Sequence, residues 1–240
     1  SAILKAPLFF AAQTLYPERF EAITEDEMGK AMVQILRPGL FSSFLSLVYA
    51  HRRFNKIVPH QEWESLSKEF VLHMELGFRL GQRCPSIGEA VGTLSCGIRM
   101  AALATFLKQD PRAYTGYRNL QKTFSIPFEH ERWGCDHAQI ASLMLKSFGF
   151  PMDFQQIAPA FRISEEPVLG EDLKPFRAAI VVLQSILNET PFSEIDLKQI
   201  QIPLSQQDYE AASNSTKDLL DRGSSFRWMF KTSEVEEREE

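Results

Sequence analysis

From residue 89 to residue 108 the chain has almost no polar face. Ala90, Val91, Gly92, Leu94, Cys96, Gly97, Ile98, Met100, Ala101, Ala102 and Leu103 are all small or apolar. A helix apolar on nearly every side is a buried one, wrapped by other elements. Gly92 and Gly97 each weaken such a helix by about 1 kcal/mol relative to Ala, which predicts a neighbouring helix packed close against them. Ser86 and Glu89 have the spacing of a capping box at its start.

The surrounding sequence supplies the wrapping helices. Thr24 and Glu27 form another capping box, followed by Met28, Met32, Ile35 and Leu36 at spacings of three and four. Pro38-Gly39 ends that helix, and a second is expected over 40–53, burying Phe41, Phe44, Leu45, Leu47 and Val48. A longer one over 62–82 carries Trp63, Leu66, Phe70, Val71, Met74, Phe78 and Leu80, and stops at Cys84-Pro85. Asp110-Pro111 reads as an N-cap followed by Pro at the first helical position, opening a helix to about 122. Further helices are expected over 125–133, 136–148, 153–162, 173–188, 193–199 and 205–222. In the 136–148 helix the inward positions are Ile140, Leu143, Met144 and Phe148, with Gly149 as the stop. No strand alternation, hairpin signal or internal repeat is found, and the acidic run 234–240 reads as an unstructured tail. The expected fold is an all-α multi-helix bundle. Its parts are an N-terminal helical section over 1–55, a core over 56–200, and C-terminal helices with the tail over 201–240.

Composition narrows the function. The chain has 240 residues, 44% hydrophobic and 24% charged, with 19 Phe and a net charge of −5. That is ample for a packed core, and the negative balance argues against broad nucleic-acid binding. Uninterrupted apolar runs such as 178–183 are too short to cross a bilayer, so no membrane partner is expected. The opening residues lack the layout of a secretory signal. Cys84, Cys96 and Cys135 cannot pair completely and form no CxxC, which points to a reduced, cytoplasmic setting. Phosphate-loop, dinucleotide-loop and nucleophile-elbow motifs are missing. His130-Glu131 begins like a zinc-protease motif, but Gly134 stands where its second His belongs.

One segment, 131–151, stands out. Glu131, Trp133 and Gly134 lead into a turn. Asp136 then lies at a helix start, where a carboxylate accepts free N–H groups and suits the helix dipole. His137 sits in the first turn. It is open to two readings: a metal or phosphate contact, or an inward side chain bonded to a neighbouring helix. One His is few for a metal site of three or four ligands.

This segment resembles the HDOD domain, the HD-related output domain of bacterial signalling proteins. The family pattern is a Glu, then aromatic-Gly-x-Asp-His-Ala-x-x-Gly/Ala, an apolar helix, and aromatic-x-Leu-Pro. Glu129 or Glu131, Trp133-Gly134, Asp136-His137-Ala138, Ala141, Phe148 and Phe150-Pro151 occupy those places. Trp63 and its helix resemble the family's Trp-led central helix, and the segment from Gly92 to Ile98 resembles its Gly-Leu-Leu-His-Asp-Ile-Gly segment. The likeness spans about 60–190, fits 1–55 only loosely, and does not extend to 200–240.

The departures from that pattern bear on function. Catalytic HD-type phosphohydrolases, which the HDOD group resembles in fold, bind metal through a His-Asp pair. Ser95-Cys96 stands at that place here. Ser65 or Leu66 replaces an expected His, and Ala160, Phe161 and Arg162 stand where a His-His pair is often found. Of the expected ligands only His137 remains, and Ser or Ala cannot replace the others around a hard divalent metal. The resemblance therefore implies a non-catalytic signalling module that binds a protein partner or a small ligand and needs no cofactor. One alternative is a metal-dependent phosphohydrolase with Glu129, Glu131 and Asp136 gathered round His137. Another is a nucleotide sensor without turnover. There Arg79, Arg83, Arg99, Arg112 and Arg118 would meet phosphates, and Tyr114, Tyr117 or Trp133 would stack on bases.

Overall fold

The structure, a computed structural model, describes residues 2–20, 28–120, 124–151, 154–226 and 229. The Thr24–Glu27 capping box and the acidic run 234–240 lie outside the described residues. In chain order the helices are α1 (Ala2–Leu15), α2 (Pro17–Phe20), α3 (Met28–Ile57), α4 (His60–Arg83), α5 (Glu89–Gln109) and α6 (Pro111–Leu120). They continue with α7 (Ile126–Trp133), α8 (His137–Ser147), α9 (Phe154–Phe161), α10 (Lys174–Leu187), α11 (Leu197–Ile200) and α12 (Gln206–Arg222). No strand occurs among the described residues. The chain is an all-α multi-helix bundle.

Helix α5 is the axis of the bundle, as its sequence demands: α3, α4, α8 and α10 all pack on it. Its closest neighbour is α4. A Cβ placed on Gly77 would lie 2.1 Å from the Gly92 carbonyl oxygen, and one on Gly92 would lie 2.1 Å from that of Gly77. The two backbones therefore touch where neither helix has a side chain. Gly97 is equally confined, with Leu47 and Met74 filling the space a Cβ would need. Gly92 and Gly97 thus have the close-packing role their sequence setting predicts.

Two apolar clusters flank this axis. The larger one joins Leu36, Phe44 and Leu47 of α3 to Phe70 and Met74 of α4, Ile98 of α5, and Ala141 of α8. Helix α3 thus shares one core with α4, α5 and α8. The smaller cluster lies on the other face of α4. There Leu76, Leu80 and Cys96 meet Val182 of α10 and Tyr209, Ala212 and Leu219 of α12.

Local departures from the expected elements have local causes. The break at Pro38-Gly39 is a kink within α3: Arg37 takes φ 57 and ψ 152, and the ring of Pro38 disfavours a helical ψ at the residue before it. The Ser86–Glu89 capping box does not form. Gly88, at φ 79, is the N-cap and lends no side chain. Ser86 donates instead to the Pro203 carbonyl, and Glu89 accepts from the Tyr16 hydroxyl. On α8 the inward positions are Ile140, Ala141 and Leu145. Leu143 is 53% exposed, whereas Ile140, Met144 and Phe148 face the core as expected. Two helices are long and apolar enough to cross a membrane, Lys30–Ile57 and Glu89–Gln109. Counting only unbroken apolar runs overlooks them. The second is α5, which is enclosed by its neighbours.

Candidate functional site

The Asp136-His137 motif lies at the corner between α7 and α8. Helix α7 ends at Gly134, whose φ of 73 is the left-handed value glycine adopts readily. Its N–H donates to the His130 carbonyl. After this turn Asp136 caps α8. Its side chain accepts from the Gln139 N–H at 2.8 Å, and its own N–H donates to the Gln139 side chain at 3.0 Å, a complete capping box. The cap expected of Asp136 is therefore present, and Gln139 completes it.

Two buried networks meet at this corner. In the first, Glu129 receives the Tyr117 hydroxyl at 2.6 Å on one oxygen. Its other oxygen accepts the His137 backbone N–H at 2.8 Å and faces His137 Nδ1 at 2.7 Å. Both side chains are sealed from water. Burial pushes the His137 pKa below its ordinary value, against the pull of Glu129. The ring is then neutral with its proton on Nδ1. The unprotonated Nε2 lies 3.4 Å from the Phe161 carbonyl oxygen, and two acceptors form no hydrogen bond. His137 thus follows the inward reading.

In the second network Asp136 pairs with Arg162 at 2.8 Å and His130 at 2.9 Å. Burial alone would raise its pKa. The Gln139 N–H, Arg162 and His130 outweigh that and hold the carboxyl below its ordinary value. Of the carboxylates expected round His137, Glu129 touches it and Asp136 lies beside it on the chain, bonded elsewhere. Glu131 is exposed. Trp133 is half-buried and stacks on Phe106 at 4.3 Å, edge-on to Tyr117.

Ser95 and Cys96 lie on α5, both buried. The Ser95 hydroxyl has no partner among the described residues, and burial pushes the Cys96 thiol up to about 12. A neutral thiol is a poor metal ligand. Where the resemblance would put a His-His pair, Phe161 turns its carbonyl to His137 and Arg162 its guanidinium to Asp136. These donors do not suit a divalent metal. Among the described residues no group of three His, Cys, Asp or Glu side chains is placed to hold one.

The arginines proposed as phosphate contacts do not form one patch. Arg79 is paired with Glu75 and Arg118 with Glu69, Arg83 and Arg112 are exposed, and Arg99 is buried in α5. Tyr114 and Tyr117 are buried too, so neither offers a face to a base.

Sequence reasoning missed Arg177. It is fully buried in α10 and donates to the carbonyls of Pro159, Arg162, Ile163, Glu165 and Gln199. It fixes the α9–α10 loop, from which Arg162 reaches Asp136. Its apolar surroundings in sequence were the available signal. Against family models, curated proteins and solved structures the chain finds no match.

Proposed function

We propose that this chain is a non-catalytic regulatory module of the HDOD type, which passes on a change in helix packing when a protein partner or a small ligand binds. The observation that carries the reading is the state of the Asp136-His137 motif. Both side chains are bonded inside the protein, to Glu129, His130, Gln139 and Arg162. The motif therefore joins α7, α8 and the loop after α9, and a shift of any of them strains the others. Interlocked polar networks of this kind rigidify one arrangement and break as a unit. The resemblance supports the same reading, as does the Ser95-Cys96 pair where the related hydrolases carry His-Asp.

Metal analysis and a phosphodiesterase assay on the purified chain test it. Manganese, iron and magnesium are expected to bind below one equivalent, with no hydrolysis of bis(p-nitrophenyl) phosphate above background. A stoichiometric transition metal that His137→Ala removes, with hydrolysis lost alongside, would establish the hydrolase instead.

A further inference from the structure

Among the described residues two arginines are buried, Arg99 and Arg177, and the protein treats them differently. Arg177 spends its guanidinium on five backbone carbonyls. Arg99, 8% exposed, makes no hydrogen bond or ion pair with any described residue, and its Nε is sealed off without a partner. Its guanidinium carbon lies 3.5 Å from the centre of the Phe124 ring. A ring face attracts a cation, but it covers the flat side of the guanidinium. The five N–H groups point outward in the guanidinium plane, and no described acceptor meets them.

Beside this group lies a cavity of about 30 Å³, lined among others by His73, Cys96, Phe124, Ile180, Leu183 and Gln184. A water needs roughly 10–15 Å³ measured this way, so the space takes a small polyatomic group. Burial holds His73 down to about 4, and its Nδ1 is engaged by the Glu69 carbonyl. The positive charge facing the cavity is therefore that of Arg99 alone. Burial disfavours this charge, and Glu129 acts on it only through space, so a planar anion would still match the guanidinium's unfilled fork of donors. The apolar walls of Ile180 and Leu183 would strengthen that pairing.

We propose that the cavity at Arg99, between α5 and α10, binds a small monoanion of carboxylate type. One carboxylate group fills it, its oxygens on the Arg99 N–H groups. Phe124 covers the guanidinium and also lies 4.6 Å from the His137 ring, so the site adjoins the network at the α7–α8 corner. The proposal names a ligand class for the regulatory reading, and rests on that reading only for the use made of binding.

Formate is the probe, titrated into the full chain at constant ionic strength. The expected result is one saturable site by calorimetry, with Tm raised by about 5–10 °C at a hundredfold excess over Kd. Arg99→Met should abolish both effects. Formate binding retained in Arg99→Met would overturn the site. A second measurement does not depend on how the variant folds. Chloride should show a broadened NMR line with the parent chain, narrowed by formate at saturation. Broadening that is linear in protein and untouched by formate would overturn the proposal. That failure would leave the regulatory reading standing, since metal content tests that separately.

Discussion

Removing the Glu129 carboxylate leaves three donors without an acceptor: the Tyr117 hydroxyl, the His137 N–H and the His137 ring. A buried donor left without an acceptor costs about 1–3 kcal/mol, so Glu129→Ala should lower the urea midpoint accordingly. Glu131→Ala, on an exposed site, should change stability by less than about 0.5 kcal/mol. Sequence alone left the two glutamates as alternatives. They are two residues apart, so a helix turns them to different sides, and only one can face Tyr117. The Gly134 turn sets which one does, and α7 is too short and too polar to display its register beforehand. Protonation adds a second test at this scale. His51 is buried and its pKa is held down to about 4 by burial, then by Arg52. The unfolded chain binds a proton below about 6.5, whereas the folded chain does not until about 4. Stability therefore falls as pH drops from 6.5 to 4, by about 3 kcal/mol for this one group. Urea titrations at pH 7 and pH 5 should show the loss, and His51→Leu should reduce the difference while leaving the share that His73 contributes in the same way.

Helix α4 meets α5 through backbone at Gly77 and Gly92, and there the intrinsic preference of a helix for Ala is overridden. Gly77→Ala would gain about 1 kcal/mol of helix propensity, yet its Cβ would lie 2.1 Å from the Gly92 carbonyl oxygen and 2.6 Å from that carbonyl's carbon. Backbone cannot swing aside as a side chain does, so the two helices must part. A net loss of about 2–3 kcal/mol is expected. Gly116, inside α6 with open space around it, is the control: Gly116→Ala should stabilise the chain by about 0.5–1 kcal/mol. Thermal unfolding of the two variants should move in opposite directions. The α5 side of this crossing was legible because glycines stood out in an otherwise apolar helix. Gly77 was not, since α4 has an ordinary polar face and nothing marks which of its small residues touches another helix. Capping was legible where the side chain was free to cap, as at Asp110 and Asp136. It failed at Ser86, which a partner 117 residues away draws off, a contact no local pattern records.

The bundle is closed by its own distant end. After α12 the chain returns to α4, where Ser224 and Ser225 bond the carboxylate of Glu75 through a hydroxyl at 2.8 Å, a backbone N–H at 2.7 Å and the second hydroxyl. Phe226 enters the core beside it and stacks edge-on against Phe44 of α3 at 5.4 Å. The all-α class could be read from residue spacing because periodicity is local. This closure could not, since it joins positions 150 apart through residues that look like an ordinary polar loop. Glu75 is fully buried, and besides these donors it has Arg79 at 3.6 Å. Its partners therefore lie largely in the returning segment, and the two should be energetically coupled. In the full chain Glu75→Gln weakens charge-assisted bonds and should cost about 2–3 kcal/mol. In a chain ending at Arg222 those donors are already gone, and the carboxylate sits with Arg79 alone. There the same substitution should cost less than about 1 kcal/mol. The double-mutant cycle, read by urea denaturation, should thus give a coupling above about 1 kcal/mol. Additive effects would mean that the returning segment is held by Phe226 and its neighbours, without help from Glu75.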